Sequence, residues 1–121
     1  AQEPAVLARW AAALASLRWT LGPEAEKAVF ARLVKRTLEH DEEAWGLSAP
    51  LMLATLVDCT HHDCAPAYAV LMRAVAANAG RMGVMQLEMC AYACARLMRC
   101  RGLLEASPEL EAAREALLRH G

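Results

Sequence analysis

A chain of 121 residues, 57% hydrophobic but only 5% aromatic, suits one domain or a short run of repeats and can bury a core without disulfides or metals. Its net charge of −1 points away from a polyanion-coating protein, and its five cysteines, an odd number, do not predict a disulfide framework, so a reducing compartment is expected. No apolar run reaches the roughly eighteen residues a membrane span needs, so no membrane insertion is expected. About a fifth of the residues are Ala, the best helix former, and no segment alternates with period two. These features predict an all-α fold.

Prolines and glycines divide the chain into about six helices. It opens "AQEPAV" with no Met and no signal-like core, as a processed protein or a fragment of a longer array would. Pro4 starts a helix predicted to reach about Leu21, and Gly22-Pro23 starts the second, with Glu24 and Glu26 at its positive end and Lys35 and Arg36 at its negative end. The acidic stretch "HDEEAWGLS" reads as a loop, with Ser48 as N-cap of a third helix ending near Thr60. After "CTHHDC", with Asp63 as cap, a fourth helix runs from about Ala65 to Asn78 and stops at Gly80. The fifth spans about Val84 to Arg101, and Ser107-Pro108-Glu109 starts a sixth that ends near His120.

The six helices pair as three antiparallel hairpins, about 4–39, 48–79 and 84–120, stacked as a short α-solenoid in a single domain. Internal similarity supports this. "LMLATLVDC" aligns on "LEMCAYACA" with Leu51 on Leu87, Leu53 on Met89, Ala54 on Cys90 and Leu56 on Tyr92, a shift of 36 residues. "AVFARLV" from Ala28 aligns on "AVLMRAV" from Ala69, a shift of 41. Periods of this size belong to helical-hairpin arrays.

"MQLEMCAYACARLMRCRG" carries a Leu, a run of small residues with one aromatic, then Leu and a polar end. "LMLATLVDCTHHDCAPAYAVLMRAVAANAG" adds a helix, a short polar joint, a second helix and a Gly stop. Together they resemble organellar RNA-binding helical-repeat proteins of the pentatricopeptide, heptatricopeptide, FAST-kinase and RAP-like types, over about residues 47–118. The hairpins differ in length and no RAP-type C-terminal domain is present, so no base-reading positions carry over. The resemblance implies a mitochondrial matrix protein that binds RNA, single-stranded or ribosomal, beside other protein subunits of a ribosome-associated or RNA-processing assembly.

Five arginines form the candidate RNA-binding set. Between Cys64 and Arg101 the chain carries Arg73, Arg81, Arg96, Arg99 and Arg101 against Glu88 alone, a local balance of +4 inside a near-neutral total. Guanidinium groups fork phosphate oxygens, so this face suits an RNA strand. The alternative is a tetratricopeptide- or HEAT-like scaffold whose arginines meet acidic protein partners.

The chemistry of Cys59, His61, His62 and Cys64 is read as a polar joint between helices. Structural zinc is the alternative, with Cys90 and Cys94 able to complete a ligand set beside Cys59 and Cys64. Adjacent histidines do not turn easily onto one ion, and no cofactor is expected. Cys90 and Cys94, four residues apart, read as packing positions. Cys90 and Cys100 have the spacing of coiled-coil-helix proteins but lack a second pair in register. Without a G-x-x-x-x-G-K-[ST], G-x-G-x-x-G or H-E-x-x-H motif, and with no oxyanion-hole signature, the chain reads as a non-enzyme. Trp10, Trp19 and Trp45 are expected in helix packing, and the six methionines in an adaptable core or partner surface.

Overall fold

Pro4 opens α1 (Pro4–Ser16), its ring in the first turn where no amide donor is required. The computed structural model describes residues 3–17, 22–58, 65–101 and 108–120, and among these every regular element is helical. α1 stops at Ser16 instead of reaching Leu21. The Leu17 amide bonds the Leu14 carbonyl at 3.1 Å, and Ser16 Oγ donates to the Ala12 carbonyl at 3.1 Å, so the last turn closes on its own backbone.

α2 (Pro23–Thr37) has the predicted bounds and the predicted charge polarity, Glu24 and Glu26 at its start and Lys35 and Arg36 in its last turn. The stretch expected as an acidic loop instead holds a single turn, α3 (Glu42–Trp45). Its N-cap Asp41 accepts from the Ala44 amide at 2.8 Å. A 3-10 turn over Gly46–Ser48 leads directly into α4 (Ala49–Asp58). Ser48 is therefore not an N-cap; Asp41, with Glu42 and Glu43 behind it in the first turn, starts the helical segment seven residues earlier. α5 (Ala65–Asn78) continues into a 3-10 turn at Ala79–Arg81, followed by α6 (Val84–Arg101) and α7 (Pro108–His120). The proposed caps Asp63 and Ser107 lie outside the described residues.

α4 packs between α1 and α6, and α5 lies against α4 and α7, so the main contacts run in two rows, α1–α4–α6 and α5–α7. α4 buries Met52, Leu53, Thr55, Leu56 and Val57, leaving no broad solvent face. Facing helices supply small residues: Ala8 and Ala11 on α1, Ala93 on α6, Ala67 and Ala74 on α5, Ala113 and Ala116 on α7. Tyr68 Oη donates to the Leu56 carbonyl at 3.3 Å, tying α5 to α4. Trp45, 1% exposed, donates from Nε1 to the Thr37 carbonyl at 3.1 Å and meets His40 edge-on, so one indole fixes the end of α2 to α3.

Burial refines the internal alignment. A shift of 36 puts buried Leu56 on exposed Tyr92. One residue more places Leu53 on Cys90, Leu56 on Ala93 and Val57 on Cys94, all buried. The 41-residue shift keeps phase as written, Phe30 with Leu71 and Leu33 with Ala74.

Gly46 has φ +45°, a backbone region that costs an L side chain steric strain, while nothing lies within 4 Å of where a Cβ would sit. Gly46→Ala is therefore expected to destabilise by about 1–3 kcal/mol through the backbone alone. Gly83→Ala, equally uncrowded and without positive φ but at the N-cap of α6, where its carbonyl accepts from the Leu87 amide, is expected to cost about 0.5–1 kcal/mol in urea denaturation.

Candidate functional site

Tyr92, Arg96 and Arg99 stand at i, i+4 and i+7 on α6, a spacing that lines them along one helix face. The Tyr92 ring is 44% exposed, and its hydroxyl donates to Asp58 Oδ1 at the end of α4, which holds the ring in place. The Arg96 guanidinium carbon lies 5.9 Å from the ring centroid, within cation–π range. Its Nε is buried with no hydrogen-bond partner among the described residues. Arg99 is exposed, its Nε making a long 3.5 Å contact to the Ala95 carbonyl. Neither arginine forms an ion pair with a described residue. Besides Asp58, exposed Glu88, one turn before Tyr92, is a carboxylate on this face of α6.

The other predicted arginines lie elsewhere. Arg73 on α5 reaches Glu42 of α3 at 3.9 Å and Glu109 of α7 at 3.5 Å, so its charge is matched twice. Arg81, in the turn after α5, donates from Nη1 to Asn78 Oδ1 at 3.2 Å, while Asn78 Nδ2 donates to the Ala74 carbonyl at 2.8 Å and closes the end of α5. Arg101 ends α6, and its side chain lies outside the described residues. The structure thus gathers Arg96 and Arg99 with an aromatic ring and engages Arg73 in surface ion pairs and Arg81 in a hydrogen bond to Asn78.

Cys59, His61, His62 and Cys64 lie outside the described residues. Among the described residues no group of three or more His, Cys, Asp or Glu side chains is arranged to hold a metal. Cys90 and Cys94 are buried free thiols in the packing positions expected for them; Cys90 Sγ lies 3.9 Å from Met82 Sδ. Burial pushes the Cys90 thiol up to about 12, with Cys94 adding to the rise, and the Cys94 thiol up to about 11.

Two features escaped the sequence reading. Tyr92 is not among the arginine-based candidates that charge alone selects, although its spacing to Arg96 is visible in the sequence. The second is a cleft of about 430 Å³ between α1 and α2, floored by Leu7, Trp10 and Leu14 with Val29 and Leu33. Arg32 and Arg36 also line it. Trp10, expected in packing, is 55% exposed because the small residues of the opposite α1 face take the core position. Trp45 is in the core as expected, and Trp19 lies outside the described residues. Met52, Met72 and Met82 are buried, while Met85 is 77% exposed. No protein-family model, curated protein or solved structure matches the chain.

The two thiols set an alkaline limit. They stay protonated in the fold but ionise near 9.0 once unfolded, so their contribution is complete below that pH and is lost as pH rises from 9 toward 11 and 12. Urea denaturation is expected to give falling stability from about pH 8 to about pH 10, with a shallower fall in Cys90→Ala. An equal slope in that variant would show that Cys90 is not responsible.

Proposed function

We propose that the chain is a non-enzymatic helical-repeat module of an RNA–protein assembly and that α6 presents its RNA-contacting face. The observation that carries this is the stripe of Tyr92, Arg96 and Arg99: a half-exposed ring fixed by Asp58, followed by two guanidinium groups without ion pairs to described residues. Single-stranded RNA is bound by stacking bases on aromatic rings while cations follow the phosphates. A guanidinium already desolvated on one edge gains from an anionic oxygen at its remaining donors. Arg101 would extend the track from the end of α6, while at Arg73 and Arg81, away from this stripe, a phosphate must compete with Glu42, Glu109 and Asn78.

The contacts of α4 with α5 and of α6 with α7, and their matched burial phases, support two stacked hairpins as in an α-solenoid, with α1 and α2 as a more open first pair. The mitochondrial setting follows from the family resemblance. A second reading, a scaffold that binds only proteins, draws on the apolar cleft between α1 and α2 and on exposed Val84 and Met85 at the start of α6.

Affinity for a short oligouridylate, followed by fluorescence anisotropy across a salt series, separates the two. Each phosphate contact on a single strand contributes about 0.7 to the slope of log K against log salt, so Arg96→Ala with Arg99→Ala is expected to lower that slope by about 1.4. Tyr92→Leu is expected to weaken binding by about 1–3 kcal/mol, whereas Tyr92→Phe keeps the ring and most of the affinity. Binding that is insensitive to salt and to all three substitutions rules out this face, and release of the native protein from its partners by nuclease would separately support an RNA-held assembly.

A further inference from the structure

We propose that the cleft between α1 and α2 docks an acidic amphipathic helix of a partner protein. This goes beyond the RNA-contacting face, which lies on α6. The cleft combines an apolar floor with two guanidinium groups one helical turn apart, Arg32 and Arg36, neither of which forms an ion pair with a described residue. Arg73, by contrast, meets two carboxylates. Lys35 adds a third positive charge along a shallow extension of the cleft, where Glu39 is the carboxylate among the lining residues. A half-exposed Trp beside two arginines is the composition that dominates binding energy at protein interfaces.

The form of the occupant follows from the walls. Both walls are helices, whose interior amide and carbonyl groups bond within the helix, so the cleft offers no strand edge for an extended peptide to join. What it offers is the furrow between two helices, into which the side-chain ridge of a third fits. Leu7 to Leu14 spans about 11 Å at the helical rise, enough for two turns of a docked helix. Two carboxylates one turn apart on that helix would match the spacing of Arg32 and Arg36, with its apolar stripe on Trp10 and Leu14. An RNA strand would instead lay a charged backbone over Leu7, Leu14 and Val29, and desolvating it there is unfavourable.

The test uses a fluorescein-labelled Ala-rich helical peptide with Leu at spacings of three and four and two Glu residues one turn apart on one flank. A control peptide carries Lys in place of both Glu. The Glu peptide is expected to bind with micromolar affinity and the Lys peptide about tenfold or more weakly; Arg32→Glu with Arg36→Glu should reverse the preference. Trp10→Ala should lower affinity for the Glu peptide about tenfold with little change in Tm, since the side chain is largely outside the core. Equal binding of the two peptides, or an unchanged preference in the charge-reversed protein, overturns the proposal. So does sedimentation showing that a second copy fills the cleft and excludes the peptide. Displacement of the peptide by oligouridylate, with binding lost in Arg96→Ala and Arg99→Ala, would assign it to the α6 face instead. An intact peptide preference without any RNA affinity would leave the cleft proposal standing while removing the RNA reading.

Discussion

The burial of α4 on nearly every side is the constraint from which the rest of the architecture follows. A ten-residue helix carrying Met52, Leu53, Leu56 and Val57 into the interior cannot turn one stripe inward and another to water, so it needs neighbours around most of its circumference. α1, α5 and α6 supply them. Helices can surround a short central rod closely only if their inner faces are small, and Ala8, Ala11, Ala67 and Ala93 meet that need. The Ala-rich composition is thus the geometric condition for enclosing α4, as well as a source of helix propensity. α7 then completes the second row by packing Ala113 and Ala116 toward α5.

Charge is distributed by the same geometry. Arg73 emerges where α5 runs between α3 and α7, and each of those helices brings a carboxylate to it, so this arginine joins three elements. Such partly exposed pairs contribute little individually to stability, about 0–1 kcal/mol, yet they remove Arg73 from the set of unmatched cations. On α6, Arg96 and Arg99 form no ion pair with a described residue, and Arg96 lies instead over the Tyr92 ring, whose hydroxyl is held by Asp58.

Much of the helical layout was legible because Pro4, Pro23, Pro108 and the glycine stops act locally: a missing amide or a missing Cβ has the same effect in any fold. The segment over 41–48 was misread for a tertiary reason. Its turn is stabilised by Asp41 as a cap and by burial of Trp45 against Thr37, and the second of these requires knowing that the end of α2 lies there. The one-residue error in the internal alignment has a related origin. Residue types matched at 36, but which side of each helix faces α4 is a property of the assembly, and burial moved the register to 37. For the candidate site, charge counting found Arg96 and Arg99 but also enlisted Arg73, because sequence separation hides the approach of Glu42 and Glu109. In the sequence Arg32 and Arg36 read only as part of a helix with Glu24 and Glu26 at one end and Lys35 and Arg36 at the other; that they line an apolar cleft with Trp10 and Leu14 depends on where α1 lies in the fold.

α2 differs from the other long helices in how it is held. Among the described residues it makes no extensive backbone approach to any neighbour and is joined to the body mainly by Phe30 and Leu33, with Val29 and Val34 partly buried, and by the indole of Trp45 on the Thr37 carbonyl. An element attached by so few anchors opens at a free energy below that of global unfolding, while α4 and its surrounding rows stay intact. The amides of α2 would then exchange with solvent through a local excursion, and the width of the furrow beside α1 becomes a thermally sampled quantity. Any segment that settles there selects among these widths and transfers part of its binding free energy into the weakest-held portion of the molecule.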